Sequence, residues 1–297
     1  MTFEAQLESP QLQQLLDLVY KHTGVRMTRE KKELLQGRLR RRVVALKLSS
    51  WEHYIGCLES NADEVQKFVD RVTTHETYFH RTTHVWDYFS NTFLPAWYEQ
   101  HRHQALNLWS AAASTGEEAY TMAMYCEAFA QQHKDFDYRI TATDVSEETL
   151  GLARSSIYQE RALSRLLAAK PQFIATYMVP CDAKGKALAA QEACQTPDAI
   201  VPQPRYMAPS PELRRHVTFC PHNLLAAVHG FGPFSIVFLR NVLIYFDKTD
   251  QKRVIRHVSR AMCDDGVLIL GESESLGQVK APYAFVQPQI YARHGAA

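Results

Sequence analysis

The chain has 297 residues, of which 46% are hydrophobic, enough for one large domain or a large domain with a small partner. Its 33 basic and 32 acidic residues leave a formal net charge of +1, which excludes a general electrostatic affinity for nucleic acid or anionic membrane. No apolar run approaches the ~18 residues of a membrane span, and "MTFEAQLESP" lacks a cationic stretch followed by an apolar one, so neither membrane insertion nor secretion is expected.

Residues 9 to 72 read as helices separated by short turns. Ser9-Pro10 supplies a cap and a first-turn proline for "QLQQLLDLVYKHT", Thr28 caps "REKKELLQGRLRRRVVALKL", and Ser49 with Glu52 forms a capping box before "HYIGCL". Nothing here reads as strand, so residues 1–72 are expected to form a small all-helical N-terminal domain. The second helix keeps Leu35, Leu39, Val43 and Leu46 at helical spacing while Arg38, Arg41 and Arg42 crowd the remaining faces. A solvated face is the ordinary fate of such a run; the functional reading is a dock for an acidic helical partner.

Residues 73–90 form a seam before the pattern changes. From about 105, short apolar runs alternate with helical stretches. "ALNLWSA", "YRITATD", "HVTFCPHN", "FSIVFLRN" and "GVLILGE" read as strands, with helices near 117–133, 147–154 and 248–262. That alternation predicts an α/β fold over 91–297, a parallel sheet covered by helices on both faces, and "YAFVQPQIYARH" reads as a closing hairpin or antiparallel edge. A helical run near 160–176 precedes a stretch at about 177–215 that carries six prolines and reads as an inserted proline-rich excursion or small β-subdomain. The six cysteines, Cys57, Cys126, Cys181, Cys194, Cys220 and Cys263, include no CxxC pair and suit free thiols in a reducing cytoplasm.

In open α/β sheets, ligands sit beyond the carboxyl ends of the strands. After the first strand comes "SAAASTGEEAY", small residues ending in Gly116, Glu117 and Glu118 at a helix mouth, where backbone can approach a ligand closely. The GxGxxG fingerprint is absent and the acidic pair would repel a pyrophosphate, which points to an adenosine cofactor without phosphates and with a cationic end, S-adenosylmethionine. Asp144 after the second strand can accept from ribose hydroxyls, the competing reading being an N-cap for "VSEETLGLARSS". After the fourth strand, Asn241 and Tyr245 in "RNVLIYF" should face the crevice, against the plain alternative of a buried, hydrogen-bonded tyrosine.

The histidine-rich "DRVTTHETYFHRTTHVWDYF" is not expected to bind metal. "HETYFH" spaces its histidines five apart rather than four, and a helix start at Thr82-Thr83 separates His80 from His84. Arg81, a fixed cation beside aromatics at the seam, is the more informative residue.

In order along the chain, "GVRMTREKKELLQGRLRRRV", "TTHETYFHR", "WSAAASTGEEAY", "TATDVSEETLGLARSSIY" and "FSIVFLRNVLIYFDKTDQKRVIRHV" together resemble the CheR-type chemotaxis receptor methyltransferases. The resemblance implies a class I, Rossmann-like methyltransferase domain that moves a methyl group from S-adenosylmethionine to glutamate side chains in the cytoplasmic helical bundle of chemoreceptors. It also implies cofactor contacts from His75, Thr77, Arg81, Glu118, Asp144, Asn223, Leu224, Arg240 and Asn241, with Arg81 and Tyr245 beside the reacting atoms. Two departures stand out. His75 replaces the asparagine usual in the family and brings a group that titrates near neutrality. The 177–215 region looks expanded where members commonly have a compact three-stranded subdomain, in some of them a grip for a receptor's C-terminal peptide; such tethering is not expected here.

A glutamate carboxylate is ionised at neutral pH, so the expected transfer needs no general base, and alignment carries the catalysis. A nucleic-acid methyltransferase is disfavoured by the near-neutral charge and by "NVLIYF" where a DPPY-like motif would stand. A non-catalytic S-adenosylmethionine-binding regulatory module is the other alternative. A cytoplasmic monomer is the simplest expectation.

Overall fold

The computed structural model describes residues 6–188, 206–277 and 282–293. Four helices come first: α1 (Ser9–Thr23), α2 (Lys32–Ala45), α3 (Trp51–Ser60) and α4 (Ala62–Val72). They share a core in which Leu15, Val19, Leu35, Leu39, Tyr54 and Phe68 are fully buried. The caps differ from the sequence expectation by small steps. Glu8 rather than Ser9 precedes α1, without a side-chain cap bond, and Thr28 leads into a 3-10 turn (Arg29–Lys31) that it does not cap. Ser50, not Ser49, caps α3 by accepting from the His53 amide at 3.3 Å, because Ser49 Oγ is engaged with His53 Nδ1.

The basic helix α2 is less free than its sequence suggests. Arg42 grips buried Glu64 through Nε at 2.9 Å and Nη2 at 2.6 Å, and the Tyr54 hydroxyl donates to the same carboxylate. Arg38 donates to the Val72 and Thr73 carbonyls at 2.8 and 3.2 Å and to Thr74 Oγ1. Two of the three arginines read as a docking surface therefore hold the helical unit together and tie it to the seam; only Arg41 is exposed.

Helices α5 (Thr83–Tyr88) and α6 (Leu94–Gln100), joined by a π-helical turn, lead into a seven-stranded sheet ordered β6-β2-β1-β7-β8-β10-β9. Strands β1 (Ala105–Ser110), β2 (Asp137–Asp144), β6 (Val217–Pro221), β7 (Phe234–Leu239) and β8 (Met262–Leu270) run parallel. The closing hairpin, β9 (Tyr283–Gln287) and β10 (Ile290–Arg293), pairs antiparallel with β8. Side-chain alternation divides the core in two. Leu108, Ile236, Phe238 and Ile269 pack with α5 and α7 (Glu117–Ala130), whereas Trp109, Val237, Leu268 and Leu270 pack with the helix Lys248–Arg260. A sheet buried on both faces needs continuous apolar strands, which is what β7 supplies.

After α8 (Glu147–Ser155), strands β3 (Tyr158–Gln159), β4 (Met178–Cys181) and β5 (Tyr206–Pro209) form a second, antiparallel sheet ordered β3-β5-β4, with α9 (Ser164–Ala169) and α10 (Pro171–Tyr177) between its first two strands. The expected excursion at 177–215 thus supplies two strands of a three-stranded sheet whose other strand, β3, precedes it, so a three-stranded subdomain is present and begins earlier than expected. Its prolines fit because Pro180 lies on an edge strand and Pro209 is the last residue of β5, where a missing N–H is tolerated. Cys194, Pro197, Pro202 and Pro204 lie outside the described residues.

The helical unit is bound to the sheet domain at two places. Tyr20 OH donates to Asp250 at 3.0 Å and Arg26 pairs with Asp247 at 2.7 Å, while across the seam Asp70 accepts from Ser146 Oγ at 2.8 Å and Arg71 pairs with Glu148. Among the described residues, no helix is long and apolar enough to cross a membrane. Removing one partner of a buried ion pair leaves the other uncompensated, so Glu64→Ala is expected to lower unfolding free energy by about 3 kcal/mol in urea titrations; a change within ~0.5 kcal/mol would deny the Arg42–Glu64 pair that role.

Candidate active site

A cavity of about 330 Å³ opens where the carboxyl ends of β1, β2 and β7 meet the seam and the loop after α1. Of the residues singled out from sequence, His75, Thr77, Arg81, Glu118, Asp144, Leu224, Arg240, Asn241 and Tyr245 all line it. Asn223 does not. Its Nδ2 donates to the His22 carbonyl at 3.0 Å and its Oδ1 accepts from the Leu225 amide at 2.9 Å, so it joins a turn to the helical unit instead of facing the cavity.

The loop after β1 wraps around the Asp144 carboxylate. The Ser114 amide donates to Oδ2 at 2.8 Å and the Ser146 amide to Oδ1 at 3.0 Å, leaving lone pairs on both oxygens. Asp144 does not cap α8; Ser146 does, by accepting from the Thr149 amide. Gly116 also departs from expectation. At φ +95° its missing side chain makes room for Tyr158 OH, 2.9 Å from where a Cβ would stand, and the backbone approach to the cavity is made by Ala111, Ala112 and Ser114.

Glu118 and Arg240 form the buried centre of the site. Arg240, its side chain 3% exposed, donates from Nη1 to Glu118 Oε2 at 3.0 Å, and Ser110 Oγ donates to Glu118 Oε1 at 2.7 Å. Burial pushes the Glu118 carboxyl up, while Arg240 and Ser110 pull it back. The second arm of Arg240 donates to the Arg81 carbonyl at 2.9 Å and to Thr82 Oγ1 at 2.7 Å. Its function here is to hold the seam, and Nε is left buried without a partner among the described residues.

Arg81 is fixed by its backbone. Its carbonyl also accepts from Trp86 Nε1 at 2.9 Å, and both neighbours, His80 and Thr82, adopt left-handed conformations at φ +59° and +67°. The guanidinium is left nearly free, with the Glu76 carbonyl at 3.4 Å as its one hydrogen bond among the described residues and Tyr78 beneath it. Tyr245, in a 3-10 turn (Leu243–Tyr245), presents a hydroxyl with no protein partner among the described residues, and the Arg26 amide donates to its carbonyl at 3.2 Å.

Residues 75–190 and 202–292 match the family model described as CheR methyltransferase, SAM binding domain, and residues 10–73 match its all-alpha domain. The chain belongs to the CheR methyltransferase family. The chemotaxis protein methyltransferases of Escherichia coli strain K12 and Salmonella typhimurium are each 30% identical over 98% of this chain and 93% of their own length. Chemotaxis protein methyltransferase 2 of Pseudomonas aeruginosa is 31% identical over 89% of this chain and 85% of its own. As a CheR methyltransferase the protein uses S-adenosylmethionine, and the cavity suits that group: a carboxylate with free lone pairs at the end of β2, small residues after β1, and apolar Val145 and Leu224 alongside. No cluster of three or more metal-ligating side chains occurs among the described residues.

One residue that organises this CheR site was not read from the sequence. Glu274, 7% exposed, accepts four backbone amides: Asn241 and Gly271 on Oε2 at 2.8 and 2.7 Å, Val242 and Leu243 on Oε1 at 2.8 and 2.7 Å. It binds the end of β7 to the end of β8 and sets Asn241 at φ +57°. A Cβ on Gly271 would stand 2.7 Å from both Glu274 Oε2 and the Asn241 nitrogen, so the close approach requires glycine. The signal available was "GESES", an acidic run directly after an apolar strand. Tyr78 and the helical unit's Val25, Met27 and Lys31 also line the cavity without having been anticipated.

Two histidines of the seam are shifted from the ordinary value by burial. His80 is buried, bonded through Nε2 to Tyr125 OH at 2.9 Å, and His75 Nε2 meets Thr73 Oγ1 at 2.6 Å. Desolvation lowers both imidazoles; Asp144 and Asp70 oppose the shift at His75, and Asp87 opposes it at His80. Below the ordinary histidine value of ~6.5 the unfolded chain therefore binds more protons than the folded one, so stability falls as pH drops through that point and is full above it. Tm measured from pH 7.5 to 5.5 should decline on the acid side, and His80→Gln should flatten that slope; an unchanged slope would clear His80 of responsibility. Glu274→Gln, which takes one acceptor oxygen from the four amides, is expected to cost about 2 kcal/mol of stability and to weaken S-adenosylmethionine binding in calorimetry; wild-type values for both would remove Glu274 from the site's framework.

Proposed function

We propose that this enzyme methylates glutamate side chains in the cytoplasmic helical bundle of chemoreceptors, forming glutamyl methyl esters. The observation that carries this reading is the pairing, on one cavity, of an acidic cofactor end at Asp144 with a free cation at Arg81 and an unpartnered Tyr245 hydroxyl. A carboxylate entering there meets donors and, already ionised at neutral pH, needs no general base. The bound cofactor supplies an electrophilic methyl group. Asp144 holds the ribose side, Arg81 and Tyr245 orient the incoming carboxylate, and the apolar lining keeps water away. Because nucleophile and sulfonium both lose charge as the methyl moves, a partly exposed Arg81 is better suited than a buried ion pair, which would blunt the attack.

Receptor contact through α2 remains part of the proposal in narrower form. Arg38 and Arg42 are committed internally, so the cations offered to an acidic helical bundle are Arg41, Lys31 and Lys47, all exposed. The receptor's cytoplasmic part as substrate implies a cytoplasmic enzyme, acting as a monomer.

The decisive experiment is transfer of labelled methyl to purified receptor cytoplasmic domains, followed by alkali. Ester formation predicts base-labile label released as methanol; base-stable label, or label on nucleic acid only, would sink the reading. Asp144→Ala should weaken S-adenosylmethionine and S-adenosylhomocysteine about tenfold or more in calorimetry, as expected for losing hydrogen bonds to a charged acceptor, and unaltered binding of both ligands would displace Asp144 from the cofactor site. Tyr245→Phe should lower kcat about tenfold or more while cofactor Kd holds; an unchanged kcat removes Tyr245 from the mechanism. Arg41→Glu should raise the receptor KM about threefold at unchanged cofactor affinity; equal KM would return α2 to an ordinary solvated face.

A further inference from the structure

Tyr78 lines the cavity from the seam and carries two guanidiniums against its ring. The Arg81 Cζ lies 5.3 Å from the ring centre and the Arg165 Cζ 4.1 Å. Arg165 comes from α9, between β3 and β4 of the smaller sheet, and is exposed. Neither guanidinium has a carboxylate within ion-pair distance among the described residues, as is true of other arginines such as Arg41 and Arg161; what sets this pair apart is the shared ring. Sharing one ring keeps the two like charges inside about one Debye length, ~10 Å at 0.1 M salt, so each raises the potential felt by the other. The ring face attracts both cations and fixes where they stand, and it supplies no counter-charge.

An unneutralised pair of cations, one at the reacting position and one beside it, is complementary to two carboxylates held at a fixed spacing. On a helix, side chains three or four positions apart stand about 5–6 Å from one another at Cβ, a spacing two guanidiniums on one ring can span. We infer that Tyr78 and Arg165 form a second carboxylate-recognition point, reading an acidic side chain three or four positions from the glutamate that is methylated. Arg165 is then a specificity-determining residue, Tyr78 its positioning residue, and the substrate class narrows to helices with paired acids on one face. The inference rests on the proposed receptor reading. It adds selectivity among glutamates that Arg81 alone, as a single cation, cannot supply.

The test compares methylation of two receptor cytoplasmic domains, identical except that the acid three or four positions from the target is Glu or Gln. Wild type is expected to prefer the Glu form about fivefold in kcat/KM, the upper range for a partly exposed ion pair. Arg165→Gln should bring that preference close to one through KM, with kcat on the Gln form and calorimetric affinity for S-adenosylmethionine unchanged. Arg165→Lys keeps the charge and should keep most of the preference; a loss as complete as that of Arg165→Gln would overturn the charge-based account. Equal Glu preference in wild type and Arg165→Gln would overturn this inference while leaving receptor methylation standing. No transfer by wild type to either substrate would overturn both.

Discussion

The site depends on one buried ion pair, Arg240 with Glu118. Glu118 stands at the mouth of α7 and Arg240 follows β7, so the pair joins two strand-to-helix connections across the carboxyl edge of the sheet. Its desolvation is offset because every strong partner is local: Ser110 completes Glu118, and the Arg81 carbonyl and Thr82 hydroxyl take the other arm of Arg240. Thr82 in turn donates to Glu272 at 2.7 Å. Through this chain of bonds the sheet domain dictates the path of the seam, and the seam can then turn Arg81 outward between two left-handed residues. The cation's freedom is thus a product of how firmly its backbone is held.

Carboxylates do here what glycine-rich loops do in dinucleotide-binding folds. Asp144 gathers the loop amides after β1 and β2, and Glu274 gathers those after β7 and β8. An anionic acceptor taking several amides is a strong organiser in a place of low dielectric. It also makes the strand ends acidic where a phosphate-bearing cofactor would need them to be donors. A cofactor with a cationic centre and no phosphate is the one such a frame accommodates.

Two ion pairs are buried, Arg42–Glu64 and Arg240–Glu118, and others such as Arg26–Asp247 lie at the surface, whereas Arg81 and Lys31 on the cavity wall and Arg165 beside Tyr78 have no carboxylate partner among the described residues. A net charge of +1 conceals these local cations, because an acid and a base paired together contribute little to the field outside. The helical unit adds the loop carrying Val25 and Met27 to the cavity wall, so it serves as part of the site as well as a surface beside it.

The sequence by itself determined the helical unit, the parallel order implied by alternating strands and helices, and the family, since these follow from periodicity and from contiguous motifs. It also identified most of the residues that meet in the cavity, because strand ends are recognisable locally and open sheets collect their ligands there. Only the tertiary structure decided what each of those residues does. Arg38 and Arg42 look solvated in a basic run and are bonded to distant backbone and to Glu64; Asn223 reads as part of a cradle and binds His22; Gly116 serves Tyr158. Glu274 was marked only by an acidic run after a strand, and Arg165 by no legible pattern. Their partners lie about 30 and 90 residues away in the chain, and a hydrogen bond or a ring contact at such separation leaves no period in the sequence.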